Sequence, residues 1–283
     1  MSTSVTLERV KTYAGFVKLE HTTFSLPLIF AGARLTGRWP SATTSLWILL
    51  AAIGARVMAM GLNRLIDEDI DARNPRTQRR ELPRGTMRRG EAWAIVAAAG
   101  ALYAVSAAAL APVCLALAPI PVVLFVVYPY LKRFTALAHL GLGLAWSAAP
   151  VAGWLATAKT LAGVGTVGWL WLFSLLWVAG FDIIYATMDE AFDREHQLHS
   201  LPVALGKRPA LFLASLIHLA AFVCLWMVWR AQVRTMVALW WLAAIGALFI
   251  WQHAVAEKKP EFAFFQLNGV LGFLVFGFVL AGV

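Results

Sequence analysis

The sequence predicts an all-α integral membrane protein with nine transmembrane helices. Three observations carry that prediction. Of 283 residues, 60% are hydrophobic and only 14% charged, with a mean hydropathy of +0.72. A soluble domain of this length would leave much of that apolar surface in water. The apolar residues also come in segments of helical rather than strand length, and most lysines and arginines fall in alternate loops, on one side of those segments.

Each helical crossing needs about 20 mainly apolar residues. In order, the segments are 22–37, 43–65, 91–110, 113–131, 136–157, 166–187, 209–229, 235–255 and 262–282. All are read as helices, because an open chain in lipid has no other way to satisfy its backbone groups. Only Ala111 and Pro112 separate the third from the fourth, which makes a tight hairpin. Two longer loops, 66–90 and 188–208, remain. Neither is low in complexity, and residues 1–283 read as a single membrane domain. Cys114 and Cys224 lie far apart within apolar runs and read as packing residues, not as a disulfide or metal ligands. The first twenty residues carry Glu8, Arg9, Lys11, Lys18 and Glu20 without an apolar run, so no cleavable signal peptide is expected.

Loop charge sets the orientation. With the N-terminus in the cytoplasm, one side collects Arg9, Lys11, Lys18, the arginines between 64 and 89, Lys132, Arg133, Arg194, Lys207, Arg208, Lys258 and Lys259. The other side keeps Arg34, Arg38, Lys159, Arg230 and Arg234, and Arg56 stays inside a span. This asymmetry accounts for the net charge of +9 without nucleic acid, which is excluded as a partner. Both long loops then face the cytoplasm.

Acid is concentrated at those loops. Between Asn63 and Gly85 stand five carboxylates and six arginines, directly after a nearly uncharged span. Helical positions four apart lie on nearly one face, drifting about 40° per step. Asn63, Asp67 and Asp71 therefore form a ladder at the cytoplasmic end of the second span. Asp182, Asp189 and Asp193, with Tyr185 between them, repeat the theme at the end of the sixth. Like charges stacked this way repel by a few tenths of a kcal/mol per exposed pair, and by more when desolvated. Mg²⁺ is the natural compensating partner, since it takes oxygen ligands and commonly bridges carboxylates to substrate phosphates. Nearby arginines would add charge-assisted contacts to phosphate.

"NRLIDEDID" resembles the NxxxDxxxD motif of the UbiA superfamily of intramembrane prenyltransferases, and "DIIYATMDEAFD" resembles its second, DxxxD-containing motif. "YPYLKRFT" is similar to the family's tyrosine–lysine segment, and "NPRTQRRELPRG" and "HSLPVALG" to the stretches following its motifs. The resemblance covers nearly the whole chain. It implies a helical bundle around a central cavity open sideways to lipid, and Mg²⁺-dependent transfer of an isoprenoid from a polyprenyl diphosphate. Carried over by residue, Asn63, Asp67 and Asp71 would form one Mg²⁺/diphosphate set, with Asp189 and Asp193 the other. Tyr128 and Lys132 would contact diphosphate, with Tyr185 among the substrate contacts and Asp182 near the acceptor. Arg64 stands where the family often has Asp. It cannot ligate metal, but its guanidinium is in position to reach phosphate.

The implied acceptor is a small aromatic acid: 4-hydroxybenzoate first, a dihydroxynaphthoate next. Arg56, two turns before Asn63 and well inside a span, is the candidate for the acceptor's carboxylate; a charge there costs at least a few kcal/mol without a partner. An ion pair with a motif aspartate is its structural alternative. Glu20 and His21, just before the first span, divide between interface cap and acceptor contact. Gln266 and Asn268 read as interhelical hydrogen-bonding residues, His196 and His199 as solvated loop residues. His139, His218 and His253 belong to no recognisable constellation. Two other classes compete. A membrane phosphotransferase needs a tighter aspartate cluster than "NRLIDEDID" supplies. A transporter would carry charges at the midplane, whereas these acids lie at span ends on one side.

Overall fold

The computed structural model describes residues 9, 12–17 and 22–282. Its helices are α1 (Thr22–Arg34), α2 (Ala42–Ile66), α3 (Glu68–Arg73), α4 (Arg89–Leu110), α5 (Pro112–Leu117), α6 (Pro119–Leu131), α7 (Ala138–Ala158), α8 (Gly168–Ala186), α9 (Glu190–Glu195), α10 (Leu201–Leu205), α11 (Lys207–Val228), α12 (Met236–Ala256) and α13 (Pro260–Leu280). Among the described residues, eight helices are long and apolar enough to cross a membrane, so the expected count of nine is not reached on length. The first expected span is described over α1, Thr22–Arg34. Leu28, Ala31 and Ala33 are fully buried there. Residues 18–21, including Glu20 and His21, lie outside the described residues.

The tight hairpin forms where expected. Ala111 is extended (φ −170°, ψ 156°) and Pro112 opens the next helix. Proline pushes its predecessor out of the α region and tolerates the first helical position, where its missing N–H is not needed. At Ala118 the backbone stays helical (φ −54°, ψ −32°), so α5 and α6 together make one crossing, Pro112–Leu131.

The most enclosed helix is α8, whose Leu170, Phe173, Trp177, Val178, Ile183 and Ile184 are all fully buried. Helices α7 and α11 flank it, α1 packs on α7, and α13 closes back onto both α1 and α8. Small residues permit the closest crossing: a Cβ at Gly32 would run into the Pro150 carbonyl, and one at Gly153 into that of Ile29. Without a hydrophobic drive between helices in lipid, such backbone-to-backbone packing holds α1 against α7.

Both acidic ladders are interrupted, in the same way. Helix α2 ends at Ile66, Asp67 adopts φ −98° and ψ 6°, and α3 restarts at Glu68. Helix α8 ends at Ala186, and Asp189 adopts φ −107° and ψ 3° before α9. In each case a six-residue helix follows, with Asp71 N–H donating to Asp67 O and Asp193 N–H to Asp189 O, both at 2.8 Å. An aspartate at a helix start usually caps backbone N–H groups with its own carboxylate. Neither Asp67 nor Asp189 does so, and both carboxylates serve the space between the ladders instead.

Candidate active site

A cavity of about 740 Å³ lies between the ladders. All the sequence-derived candidates line it: Arg56, Asn63, Arg64, Asp67, Asp71, Tyr128, Lys132, Asp182, Tyr185, Asp189 and Asp193. They come from α2, α3, α6, α8 and α9, so the cavity has a floor of transmembrane helix ends and a rim of the two long loops.

Basic side chains offset the acids one by one. Lys132 Nζ donates to Asp67 Oδ2 at 2.7 Å, and Asn63 Nδ2 to the same oxygen at 3.3 Å. Arg133 donates to the Ile66 carbonyl at 2.7 Å and stands 3.5 Å from Asp67 Oδ1. Arg80 pairs with Asp71 at 2.7 Å. Arg76 reaches across the cavity mouth. Its Nε donates to Asp189 Oδ1 at 2.9 Å, its Nη2 pairs with Asp189 Oδ2 and its Nη1 meets the Tyr185 hydroxyl. Its guanidinium also lies over the Tyr185 ring at 4.6 Å. Asn74 Nδ2 adds a bond to Asp189 Oδ1 at 2.9 Å. The segment following the first motif thus grips the second.

Burial raises the Asp67 pKa, an effect that Lys132 only partly offsets. Burial and then the charge of Asp189 push Asp193 up to about 6. These are desolvated carboxylates held near one another, an arrangement that a cation stabilises.

Among the described residues no three histidine, cysteine or acidic side chains form a ready chelating group. The donor set nevertheless fits Mg²⁺: Asn63, Asp67, Asp71, Asp189 and Asp193 supply only hard oxygen ligands around one cavity. Arg64 is committed elsewhere. It is 5% exposed, pairs with Glu81, donates to the Gly15 carbonyl at 3.3 Å and lies over the Phe16 ring. In this arrangement it fastens the helical segment 12–17 to the cavity rim and does not offer its guanidinium to phosphate.

Deeper in, the walls are aromatic. Phe181 meets Trp177, Trp146 and Phe264 edge-on, with centroids 5.6, 6.4 and 5.2 Å away, and Tyr185 lies 4.2 Å from Phe264. Arg56, over the Trp146 ring at 5.6 Å, lines both this chamber and an adjoining apolar cavity of about 140 Å³ walled largely by alanines of α2 and α7. A further apolar cavity of about 240 Å³ shares Ala51, Tyr103, Leu110 and Pro121 with that one.

Other placements differ from the sequence reading. Asn268 is an interhelical hub as expected, accepting from Trp177 Nε1 at 2.8 Å and Gln252 Nε2 at 3.1 Å, but it also lines the cavity. Gln266 is exposed on α13. His199 stands at the cavity rim, its N–H donating to the Lys132 carbonyl at 2.7 Å. Buried His218 pairs with half-buried His253 at 2.9 Å, and His139 bonds to Asp182 at 2.6 Å. The sequence reading gave the nearby arginines phosphate contacts as a group and did not single out Asn74, Arg76 or Arg80. Their signal was present in "NPRTQRR", directly after the first ladder, but a loop has no period to say which arginine turns inward.

A model of the UbiA prenyltransferase family matches residues 25–280. A UbiA homolog from Aeropyrum pernix K1, in its apo structure, superposes with a TM-score of 0.86 at 34% identity over 92% of this chain and 97% of its own. One from Archaeoglobus fulgidus, bound to GPP and Mg²⁺, superposes with a TM-score of 0.71 at 19% identity over 95% of this chain and 98% of its own; at that identity the likeness is one of fold. The 4-hydroxybenzoate octaprenyltransferase of Vibrio vulnificus (strain CMCP6) is 26% identical over 278 residues, 96% of this chain and 97% of its own. That of Coxiella burnetii (strain CbuK_Q154) is 29% identical over 243 residues, 84% of this chain and 83% of its own. With paired acidic ladders at the ends of membrane-spanning helices and a family match from residue 25 to residue 280, the chain belongs to the UbiA prenyltransferase family.

Proposed function

We propose that this protein, acting as one membrane domain, transfers a (poly)prenyl group from its diphosphate to the ring of 4-hydroxybenzoate, a step of ubiquinone-type quinone biosynthesis. The observation that carries the reading is the single cavity, in which both acidic ladders, an aromatic wall and one intramembrane arginine meet. The relatives named 4-hydroxybenzoate octaprenyltransferase support the choice of acceptor.

The diphosphate belongs at the polar end. Lys132, Arg80 and Arg76 stand beside the acids and have phosphate oxygens as alternative partners. Asn63, Asp67, Asp71, Asp189 and Asp193 would hold Mg²⁺, which would supply Lewis-acid stabilisation of the diphosphate leaving group. As the C–O bond breaks, Trp146, Trp177 and Phe181 offer π faces to the allylic cation and exclude water. The two apolar cavities beyond Trp146, walled by apolar residues of the membrane helices, are suited to the first isoprene units of the tail. Arg56 binds the acceptor's carboxylate. The ring carbon beside the phenol forms the new C–C bond, its C–H electron pair returns to the ring, and the proton passes to Asp182 and on to water.

Release of diphosphate tests the reaction class. Purified protein with geranyl diphosphate and 4-hydroxybenzoate is expected to release it only with Mg²⁺, and full release in excess EDTA would remove the metal mechanism. A transporter would release none.

Proton competition gives a pH dependence with a fixed sign. The Asp193 pKa lies at about 6 and that of Asp67 is also raised, so below about pH 6 a proton must leave before these oxygens ligate Mg²⁺. Mg²⁺ affinity should therefore fall on acidification, by about tenfold per pH unit for each proton displaced. Calorimetric titration at about pH 5 and about pH 7.5 measures this; equal affinities would contradict it.

The site is read as facing the cytoplasm, on the side that collects most loop lysines and arginines. Arg76 and Asn74 joined to Asp189 put both loops on one side of the bundle. Pro75→Cys and Gln197→Cys should accordingly label from the same side of the membrane, the cytoplasmic one.

A further inference from the structure

Asp182, the acceptor-side carboxylate, is not alone. His139, the second residue of α7, stands against it, with the histidine side chain 5% exposed and the aspartate 21% exposed. Nδ1 of His139 is 2.6 Å from Asp182 Oδ2. Its other nitrogen, Nε2, accepts the backbone N–H of Leu201 at 3.2 Å.

That second bond fixes the tautomer. A backbone N–H only donates, so Nε2 must present its lone pair and the ring proton sits on Nδ1, aimed at Asp182. Among the described residues nothing else hydrogen-bonds the Asp182 carboxylate. The imidazole therefore sets one oxygen, Oδ2, and leaves Oδ1 to the cavity that Asp182 lines. Leu201 directly follows Ser200, which lines the cavity together with Asp193, so the same ring touches both the acceptor carboxylate and the loop behind the second acidic ladder.

From this geometry we infer that His139 is a positioning residue for prenyl transfer: its Nδ1–H orients Asp182 toward the acceptor, and its Nε2 lone pair is the anchor that fixes the ring. A histidine satisfied on both nitrogens also suits a purely structural tie between α7, α8 and α10. The two roles separate, because each uses a different nitrogen. The inference rests on the reading of Asp182 as the acceptor-side group.

The test exploits amide mimics. In His139→Asn the side-chain amide takes the place of Nδ1 and keeps the donor to Asp182. In His139→Gln it takes the place of Nε2, keeps the Leu201 contact and loses Asp182. Each variant, purified with the wild type and Asp182→Asn, is given Mg²⁺ and geranyl diphosphate with and without 4-hydroxybenzoate, and its thermal melting is recorded. His139→Gln should lose transfer kcat by about 10- to 100-fold, the usual range for one charge-assisted hydrogen bond, with acceptor-free hydrolysis of the diphosphate kept. His139→Asn should retain most of the transfer rate.

The opposite order, with Gln active and Asn inactive, would overturn the inference and assign His139 to the loop. So would equal transfer by both variants, loss of hydrolysis along with transfer, or collapse of melting in both. If Asp182→Asn transfers at the wild-type rate, it is the acceptor-side reading of Asp182 that fails, whatever the histidine variants do.

Discussion

Asp67→Ala and Asp189→Ala are each expected to reduce prenyl transfer by about 10²–10³-fold or more, the range seen when one preorganised electrostatic contact to developing charge is removed. The two residues hold equivalent positions, each at the break between a long helix and a six-residue continuation, and each is gripped by cations: Lys132 and Arg133 on Asp67, Arg76 on Asp189. On the proposed function, removing either would delete an oxygen ligand, and it leaves basic side chains without their carboxylate. The defect should appear with and without acceptor, because ionisation of the diphosphate precedes both transfer and hydrolysis. Asp67, at 3% exposed, is the more demanding case for folding, so its melting curve must accompany the rate. A folded Asp67→Ala protein that still hydrolyses geranyl diphosphate at the wild-type rate would exclude this residue from the diphosphate site.

Arg56→Ala is expected to do something different. The guanidinium sits over Trp146, between the polar chamber and the apolar cavities, away from the loop arginines that hold the acids. Loss of one charged hydrogen-bonded contact is worth about 1.5–3 kcal/mol, or roughly 10- to 150-fold in apparent acceptor affinity. The KM for 4-hydroxybenzoate should rise by that factor while acceptor-free hydrolysis continues, and discrimination between the acid and its neutral amide should shrink. Should hydrolysis collapse as completely as in Asp67→Ala, Arg56 belongs to the diphosphate or structural network and not to the acceptor.

Much of this architecture was legible in the sequence because its signals are local. Segment length marks the crossings, and Pro112 turns a two-residue gap into a hairpin through its ring and missing N–H. Spacing of four marks the ladders. The same locality explains what was not legible. A spacing of four reads the same whether the helix runs on or restarts, so the breaks at Asp67 and Asp189 were invisible to it. The partners of the acids lie far away in sequence: Arg76 is 113 residues from Asp189, and His139 is 43 from Asp182. No periodicity connects such pairs, and a lone histidine on an apolar helix gives no sign of what it faces. Arg64 shows the converse. Adjacency to Asn63 suggested phosphate, yet its position on α2 turns it toward Glu81 and Gly15.

The most direct measurement is product analysis. Purified protein is incubated with Mg²⁺ and geranyl diphosphate against a panel holding 4-hydroxybenzoate, its 4-methoxy analogue, benzoate and a dihydroxynaphthoate, and the products are identified by mass and fragmentation. The expected result is a ring-geranylated 4-hydroxybenzoate formed together with diphosphate, absent in EDTA, absent with benzoate and suppressed in Asp189→Ala. Formation of no prenylated aromatic acid, or of one that appears equally without divalent metal, would contradict the account.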